Sequence, residues 1–216
     1  MIGSKRLFDL AGAGAGLLVA SPLLLVIALL VRAEDGGPAL FRQERVGYRG
    51  RPFGMWKFRT MVPDAESRGP ALTVGLDPRV TRIGAWLRRL KLDELPQLLN
   101  VFAGDMSFVG PRPEVARYVA SYAPDQRGVL ELMPGVTDEA SLRYMHEGAL
   151  LAAASEPERV YIEEIVPDKI RINLAYAARA TVWTDLVVIL STMRQLVWSP
   201  RRTPRHPSLA PRSTSR

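Results

Sequence analysis

The sequence predicts an α+β protein that is predominantly helical and is attached to a membrane by its N-terminal segment. Leu10–Val31 contains no charged residue over 22 positions, which is long enough to cross a bilayer as a straight helix. Helical periodicity dominates after residue 77, and only two short runs alternate as strands do. We therefore expect an apolar helix followed by one mixed domain with a small β-hairpin and amphipathic helices at the membrane interface.

The apolar segment has two features that argue against a simple span. Ser21 and Pro22 fall in its centre, and proline removes a backbone donor and bends a helix. Positive charge lies on both sides, with Lys5 and Arg6 before the segment and five Arg residues between positions 32 and 51. Positive flanks favour the cytoplasmic side. We predict a monotopic protein in which residues 1–33 form a re-entrant membrane helix that turns back at Ser21 and Pro22, with a proline-kinked single span as the alternative.

Residues 34–198 are predicted to form one cytoplasmic domain. Ala39–Arg45 and Phe53–Arg59 are short runs that partly alternate in polarity, so they are expected to pair as a β-hairpin. Asp77 and Pro78 have the composition of an N-cap and a first helical position. The helix that follows is basic and amphipathic with Trp86 at its border, which is typical of either an interfacial helix or a core-facing one.

The second half of this domain is predicted to be mostly helical. A helix is expected to begin near Asp93, with Pro96 in its first turn, and Gly104–Pro113 is expected to be an extended loop. Thr184–Trp198 is apolar but short for a span, so it is expected to be a buried or interfacial helix. The other helical patterns are Arg117–Leu132, Leu142–Ala154 and Glu158–Ala180, the last interrupted at Pro167.

Net charge is concentrated at the C-terminus. The chain has 29 Lys and Arg against 22 Asp and Glu, and five of the Arg lie in residues 199–216 without any acid. This segment is rich in Ser and Pro, so it is predicted to be a disordered basic tail that is either solvated or drawn to anionic lipid. Because the rest is close to charge balance, we expect no nucleic-acid partner. The absence of Cys and the presence of only two His argue against a zinc site.

The most informative feature is the adjacent pair Asp93 and Glu94, which has Arg88 before it and Arg112 after it. A carboxylate in the first turn of a helix and close to guanidinium groups is expected to be ionised. Such a carboxylate can attack phosphorus, and a second one can hold Mg²⁺. Arginine adds bidentate binding of phosphate. The pattern favours a magnesium and phosphate site, although the dipeptide alone is also what an ordinary helix cap contains.

Short motifs surround this pair over roughly residues 4–137. The stretches are Lys5-Arg6, Ser21-Pro22, Phe41–Gly47, Lys57–Met61, Asp77–Gly84, Leu92–Leu98, Gly104–Ser107 and Val109–Pro113. Together they resemble the bacterial sugar transferase family, the monotopic phosphoglycosyl transferases that act on polyprenyl phosphate. By the same resemblance, we expect the chain to be the minimal catalytic form of the family.

The resemblance implies a reaction and a set of roles. A UDP-sugar would pass its sugar 1-phosphate to undecaprenyl phosphate and release UMP through a covalent aspartyl intermediate, as the first membrane step of glycan assembly. Asp93 would be the nucleophile and Glu94 the ligand of Mg²⁺. Ser21 and Pro22 would mark the re-entrant break, at the cytoplasmic face of the bacterial inner membrane. The implied substrate-binding residues are Lys57, Arg59, Arg79, Arg88, Gln97, Arg112 and Pro113.

Several alternatives stay open at this point. Arg59 and Arg79 are also compatible with structural ion pairs, Gln97 with a brace inside a helix, and Pro113 with a turn. After Thr137 the sequence departs from the family pattern, so the sugar is not specified and a diverged member with altered activity is an alternative. A non-enzymatic, membrane-anchored adaptor that binds lipid or a partner is another. A homo-oligomer is also left open.

Overall fold

The computed structural model describes residues 3–65 and 77–198, and over these residues the chain is predominantly helical with two small two-stranded sheets. The predicted basic tail, residues 199–216, lies outside the described residues. In chain order the elements are α1 (Gly3–Asp35), β1 (Leu40–Val46), β2 (Pro52–Phe58), α2 (Arg82–Leu90), α3 (Gln97–Ala103), β3 (Ser107–Val109), α4 (Ala116–Val119), β4 (Gly135–Thr137), α5 (Glu139–Arg143), α6 (Glu147–Ala153), α7 (Pro157–Val160), α8 (Val166–Ala177) and α9 (Val182–Trp198).

Helix α1 stays helical through Ser21 and Pro22. Pro22 has no N–H to donate to the carbonyl of Leu18, four residues earlier. The Ser21 hydroxyl donates to that same carbonyl at 2.8 Å and so satisfies it. The interruption predicted at this dipeptide is therefore the loss of one backbone hydrogen bond and not a break in the helix. The re-entrant course of the segment stays a prediction.

The first turns of α1 are tied to the rest of the protein by polar contacts. Lys5 forms an ion pair with Asp185 of α9 and donates to the carbonyl of Val109 at 3.2 Å. Asp9 is fully buried, and its Oδ1 accepts from the Ser107 hydroxyl and from the backbone N–H of Phe108, both at 3.1 Å. These bonds fix the start of α1 against strand β3 and helix α9.

The last turns of α1 are held in the same way. Asp35 forms a two-point ion pair with Arg59, directly after β2. Glu34 accepts from the first backbone N–H groups of α2, those of Arg82 and Ile83, at 2.8 and 3.3 Å. A helix of 33 residues is about 50 Å long. It therefore lies along the domain, which contacts both of its ends.

The hairpin predicted near residues 39–59 is confirmed. Strands β1 and β2 pair antiparallel, with Gln43 opposite Met55. Met55 is fully buried and packs with Val101 of α3, which places α3 behind the hairpin. This packing positions the end of β2 beside the turn that precedes α3.

One strand of a short parallel sheet, β3, lies inside the region predicted to be an extended loop. Strand β3 pairs parallel with β4. Just after β3, an ideal Cβ at Gly110 would lie 2.1 Å from the carbonyl oxygen of Met133, so only glycine allows the two backbones to approach this closely. The Gly135 N–H donates to the carbonyl of Pro111 at 3.0 Å. The segment that follows β3 is thereby fixed next to β4.

The predicted start of α2 at Asp77 and Pro78 is wrong. The helix begins at Arg82, and its N-cap is Thr81, whose hydroxyl accepts from the N–H of Gly84 at 3.0 Å. The Asp77 carboxylate is not free to cap this helix, because it forms an ion pair with Arg79. The hydrogen bond from the Gly84 N–H to the Thr81 hydroxyl is therefore sufficient to cap the helix at this position.

The helices of residues 116–177 are shorter than the sequence patterns suggest. The expected helix over Arg117–Leu132 is reduced to α4 and a 3₁₀ turn at Arg127–Glu131, because Pro124 lies between them. The expected helix over Leu142–Ala154 is divided into α5 and α6. A π-helical turn, Tyr161–Ile165, precedes α8, so that Pro167 falls in the first turn of that helix. These elements enclose a core that includes Tyr118, Tyr144, Leu151, Ile165 and Ile170.

We predict that Gly84→Ala destabilises the fold. An ideal Cβ at Gly84 would lie 2.1 Å from the carbonyl oxygen of Thr60, so α2 has to move away from β2. Overpacking of this kind costs about 3 kcal/mol, and the loss should appear as a lower midpoint of thermal unfolding in detergent. Gly148→Ala, in α6, is the matched control, because an added Cβ there meets nothing within 4 Å. Equal midpoints for the two variants would contradict this account of the α2 contact.

Candidate functional site

Asp93 and Glu94 lie in a 3₁₀ turn, Leu92–Glu94, between α2 and α3. Lys91, at φ 58°, ends α2 in the left-handed region. Pro96 has no N–H for the carbonyl of Leu92, which instead accepts from the N–H of Leu95 at 3.2 Å. The helix expected to begin near Asp93 therefore begins at Gln97, and the acidic pair precedes its first turn.

Glu94 and Arg112 form the main ion pair of the site. Both carboxylate oxygens of Glu94 accept from the Arg112 guanidinium, one of them at 3.1 Å. Burial by itself raises the pKa of Glu94, but Arg112 outweighs burial and the net pKa lies well below the usual range. Glu94 in turn raises the pKa of Arg112. Both groups are therefore charged at neutral pH, and together they join the turn before α3 to the loop after β3.

Asp93 is buried, with 8% of its surface exposed, and its Oδ1 has no hydrogen-bond partner among the described residues. Burial and the neighbouring Glu94 raise its pKa, against the opposing effect of Lys57, Lys91 and Arg88. This direction is opposite to the sequence-based expectation, which considered the flanking cations and not the burial. A raised pKa means a more basic carboxylate, and a more basic oxygen is a better nucleophile once it is ionised.

Gln97 lies one helical turn after Asp93 and is 1% exposed. Neither its amide oxygen nor its amide nitrogen has a partner among residues 3–65 and 77–198. A buried polar group without a hydrogen bond costs about 1–3 kcal/mol. Such groups are rare in folded proteins and call for an explanation such as a bound ion, water or ligand. With Asp93 Oδ1, three unsatisfied polar atoms lie at the start of α3.

Lys57, near the end of β2, lies close enough to Asp93 and Glu94 for their charges to affect its pKa. Burial lowers its pKa to about 7, and repulsion from Arg112 and Arg45 adds to this effect, while Glu94 and Asp93 oppose it. Its ammonium group has no hydrogen bond or ion pair within the described part of the chain. An uncompensated lysine of this kind is suited to bind an anion, since a bound negative charge restores the charged form.

Arg88 projects from α2 toward the same site. Its Nε donates to the Thr60 hydroxyl at 2.8 Å. Burial lowers its pKa, and the charges of Asp93 and Asp77 oppose this shift. The structure thus brings together Asp93, Glu94, Lys57, Arg88, Gln97 and Arg112 of the sequence-predicted site residues.

Arg59 and Arg79 are each engaged in an ion pair outside the acidic pair. Arg59 pairs with Asp35 and donates to the carbonyl of Pro38 at 2.7 Å. Arg79 pairs with Asp77 at 2.6 Å and donates to the carbonyl of Ala65 at 2.9 Å. Both guanidinium groups therefore join chain segments to each other. This agrees with the alternative given above, in which these residues form structural ion pairs. Their roles in substrate binding stay predictions.

Pro113 lies in the loop held by Arg112, and its carbonyl accepts from Arg45 at 3.1 Å. Arg45 also pairs with Glu114 at 3.6 Å, and Glu114 accepts a hydrogen bond from the Tyr161 hydroxyl. Arg45, Glu114 and Tyr161 received no role in the sequence analysis. Arg45 lies within a family motif, but Glu114 and Tyr161 carry no local pattern that could have indicated this contact.

Asn100 is a further residue to which the sequence assigned no role. It is 1% exposed, its side-chain oxygen accepts from the backbone N–H of Trp56 at 2.9 Å, and its amide nitrogen donates to the carbonyl of Gly54 at 2.8 Å. These bonds join α3 to the edge of β2 much as a neighbouring strand would. Asn100 thereby sets the position of Lys57 relative to Asp93.

Comparison with known proteins places these features in a family. A family model described as bacterial sugar transferase matches residues 2–199. A Bacillus subtilis protein provisionally named an undecaprenyl-phosphate N-acetylgalactosaminyl 1-phosphate transferase is 44% identical over 144 residues, which are 67% of this chain and 79% of that protein. A Caulobacter vibrioides protein named UDP-glucose:undecaprenyl-phosphate glucose-1-phosphate transferase is 37% identical over 196 residues, 89% of this chain and 69% of that protein.

A third relative is much longer than this chain. The undecaprenyl-phosphate glucose phosphotransferase of Komagataeibacter xylinus is 36% identical over 200 residues, which are 90% of this chain but only 36% of that protein. The chain therefore spans about a third of the length of that relative.

We predict that Lys57 makes the stability of the protein depend on pH. An unfolded lysine has a pKa of about 10.4, and that of Lys57 is about 7 in the fold. Between these values the unfolded chain binds the extra proton, so stability rises with pH, and the penalty is complete below the folded pKa. Lys57→Met should therefore raise the thermal midpoint more at roughly pH 6.5 than at roughly pH 9.5.

Lys91→Met is the matched control, because it removes the same charge from an exposed lysine beside the same turn. An equal effect of Lys57→Met at both pH values would show that the Lys57 ammonium is not desolvated in the fold. Thermal unfolding in the absence of nucleotide and phosphate is the measurement.

Proposed function

Since this chain belongs to the bacterial sugar transferase family, we propose that it transfers a sugar 1-phosphate from a UDP-sugar to undecaprenyl phosphate and releases UMP. The observation that carries this proposal is the buried Asp93 carboxylate beside Lys57, Arg88 and the Glu94–Arg112 pair; one of its oxygens has no partner among the described residues. A nucleophile next to several cations is the arrangement that phosphoryl transfer needs.

Asp93 is the proposed nucleophile. Its free Oδ1 attacks the phosphorus that bears the sugar, the bond from this phosphorus to the bridging oxygen breaks, and UMP leaves with that oxygen. An oxygen of undecaprenyl phosphate then attacks the same phosphorus, the aspartyl bond breaks, and the carboxylate is restored. The unpartnered state of Oδ1 supports this role, because no hydrogen bond to a described residue has to break before attack.

The cations are proposed to hold the diphosphate. Lys57 has no anionic partner of its own among the described residues, so a bound phosphate supplies one and shifts the lysine to its charged form. Only Nε of the Arg88 guanidinium is used, by Thr60, so its two other nitrogens form no hydrogen bond to the described residues. Arg112 is already neutralised by Glu94, so its contribution is mainly to orient the loop and the carboxylate.

The donor set fits a magnesium ion held through substrate. No group of three or more His, Asp or Glu side chains suited to a metal occurs among the described residues. Mg²⁺ usually binds proteins through one or two carboxylates together with substrate phosphates and water. Arg112 uses only part of the acceptor capacity of Glu94, because a carboxylate has about four lone-pair sites. Glu94 would hold the ion, which would neutralise charge on the phosphates.

The membrane placement is proposed to be monotopic, with a re-entrant α1 on the cytoplasmic face of the inner membrane. By length and composition α1 can cross a membrane, but the same domain contacts Lys5 at its start and Asp35 at its end. Apolar side chains on its middle turns are exposed, as are others on α3 and α9. They include Leu18, Val19, Leu25, Leu29, Phe102, Trp183, Val187, Leu190 and Met193.

We predict that Asp93→Asn abolishes sugar-phosphate transfer. The amide has no anionic oxygen for attack, so UMP release should fall by a factor of about 10³ or more. The measurement is UMP release from a panel of UDP-sugars with undecaprenyl phosphate and Mg²⁺, together with mass spectrometry of the intact protein for trapped phosphosugar. Asp125→Asn, at an exposed position, is the matched control.

Substantial UMP release by Asp93→Asn with an unchanged thermal midpoint would rule out Asp93 as the nucleophile. Chelation of Mg²⁺ should stop turnover by the unaltered protein, and full activity in chelator would contradict the magnesium proposal. Failure of the unaltered protein to release UMP from every donor would favour the adaptor alternative.

We also predict that both ends of α1 face the same side of the membrane. The chain has no Cys, so a single Cys placed at Ser4 or at Ala33, both exposed, reports its own location. Both should react with a membrane-impermeant thiol reagent only after the cytoplasmic face is opened. Ala33 is a better position for the Cys than Glu34, because the Glu34 carboxylate accepts a hydrogen bond from the first backbone N–H of α2.

Asp125→Cys is the control, because it reports on which side of the membrane the domain lies. Reaction at Ser4 from the outside, with Ala33 and Asp125 still protected, would show that α1 spans the membrane once. That outcome would refute the re-entrant course and leave the proposed chemistry untouched.

A further inference from the structure

A pocket that the proposed chemistry does not use lies beside Arg112 and Pro113. It is enclosed by the loop after β3 on one side and by the core of residues 119–173 on the other. Apolar side chains form most of its walls, among them Val129, Leu132, Val166 and Ile170. Because Arg112 also pairs with Glu94, the pocket adjoins the group of charges around Asp93.

Two polar groups that line this pocket have no hydrogen-bond partner in the described part of the chain. Asn173, on α8, is 6% exposed, and Tyr122 is 8% exposed. Neither the Asn173 amide nor the Tyr122 hydroxyl makes a hydrogen bond to any described residue, and both residues line the pocket. Their polar atoms are not fully enclosed, so both groups are free to bond to whatever enters the pocket.

The charged side chains of the pocket are already paired. Lys169 forms an ion pair with Glu147, and Glu114 pairs with Arg45. Asp138 accepts from the N–H and the hydroxyl of Ser141 at 2.6 and 2.8 Å. The Asn173 amide and the Tyr122 phenol, which form no hydrogen bond to a described residue, are both uncharged. They match a neutral, polyhydroxylated ring better than they match a phosphate.

We propose that this pocket holds the sugar ring of the nucleotide sugar, and that Asn173 and Tyr122 select among sugars by hydrogen bonds to its substituents. The proposal rests on the proposed function, because it needs a UDP-sugar whose phosphates lie at Asp93. A buried amide or hydroxyl left without a partner penalises a sugar that lacks the matching group, which is how a pocket discriminates between polar ligands.

The sequence positions of the residues that line the pocket favour the sugar over the uridine as its ligand. Its two free polar residues, Tyr122 and Asn173, lie outside the short motifs that surround Asp93 and Glu94. The relatives share undecaprenyl phosphate in their names but differ in the sugar, glucose in one and N-acetylgalactosamine in another. Because the sugar varies among the relatives' names, we expect residues outside those motifs to recognise it.

The test compares Asn173→Ala and Tyr122→Phe with the unaltered protein over a panel of UDP-glucose, UDP-galactose and their two N-acetylated counterparts. Each variant should lower kcat/KM for the preferred donor by about tenfold, the loss of one hydrogen bond, and should change the ranking of donors. The inhibition constant for UMP should stay within about twofold, because UMP has no sugar on its phosphate.

Tyr118→Phe is the matched control. Its hydroxyl is buried and has no hydrogen-bond partner among the described residues, but Tyr118 does not line the pocket. Its donor ranking should be that of the unaltered protein. If Asn173→Ala lowers the thermal midpoint, Asn173→Asp keeps the shape and removes the amide donor, and the donor ranking is measured on that variant.

Each outcome decides the matter. A change of donor ranking at constant UMP inhibition supports the sugar pocket. A parallel loss of UMP inhibition would assign the pocket to the uridine, and an unchanged ranking in both variants would show that the pocket is not used; either result overturns the proposal alone. Absence of UMP release from every donor by the unaltered protein would overturn the proposed function and the sugar pocket with it.

Discussion

The Glu94–Arg112 ion pair is the contact on which the geometry of the site depends. It connects the 3₁₀ turn before α3 to the loop after β3, two segments that no strand pairing brings together. Removing one partner from such a pair leaves the other charge without compensation in a partly buried region, so the two residues stabilise the site only together. The loop that carries Arg112 is in turn fixed from behind, because Gly110 and Gly135 allow the backbones of β3 and β4 to approach within contact distance.

Around this pair the structure leaves polar groups unsatisfied. Asp93 Oδ1 and both amide atoms of Gln97 are buried without partners among the described residues, and Lys57 is desolvated without an anion. Each of these lowers stability, and a protein selected for stability alone has no reason to keep them together. A ligand with phosphate oxygens compensates Lys57 directly. The unsatisfied groups are therefore an argument for an anionic substrate that is independent of the family resemblance.

The sequence predicted the elements whose information is local, and it missed those that depend on distant contacts. The hairpin of β1 and β2 follows from alternation and turn residues, whereas the role of the acidic pair rests on its motif and stays a proposal. The β3–β4 pairing was missed because three residues carry no readable period, and the start of α2 was misplaced because Asp77 pairs with Arg79 instead of capping. The upward pKa shift of Asp93 was missed for the same reason: burial is set by the whole fold.

The polar ends of α1 impose a constraint on how its apolar middle meets lipid. Lys5 and Asp35 each form an ion pair with the same domain, and breaking either pair to let one end cross a bilayer would expose a charge to hydrocarbon. The proposed course keeps both ends beside the domain, so any depth in the membrane has to come from a bend in the middle. Pro22 weakens the helix at that point, and the Ser21 hydroxyl satisfies the Leu18 carbonyl that the proline leaves free, which lipid cannot do. The dipeptide thus permits bending in an apolar environment without an unsatisfied backbone group, and this is a physical reason for serine to precede the proline.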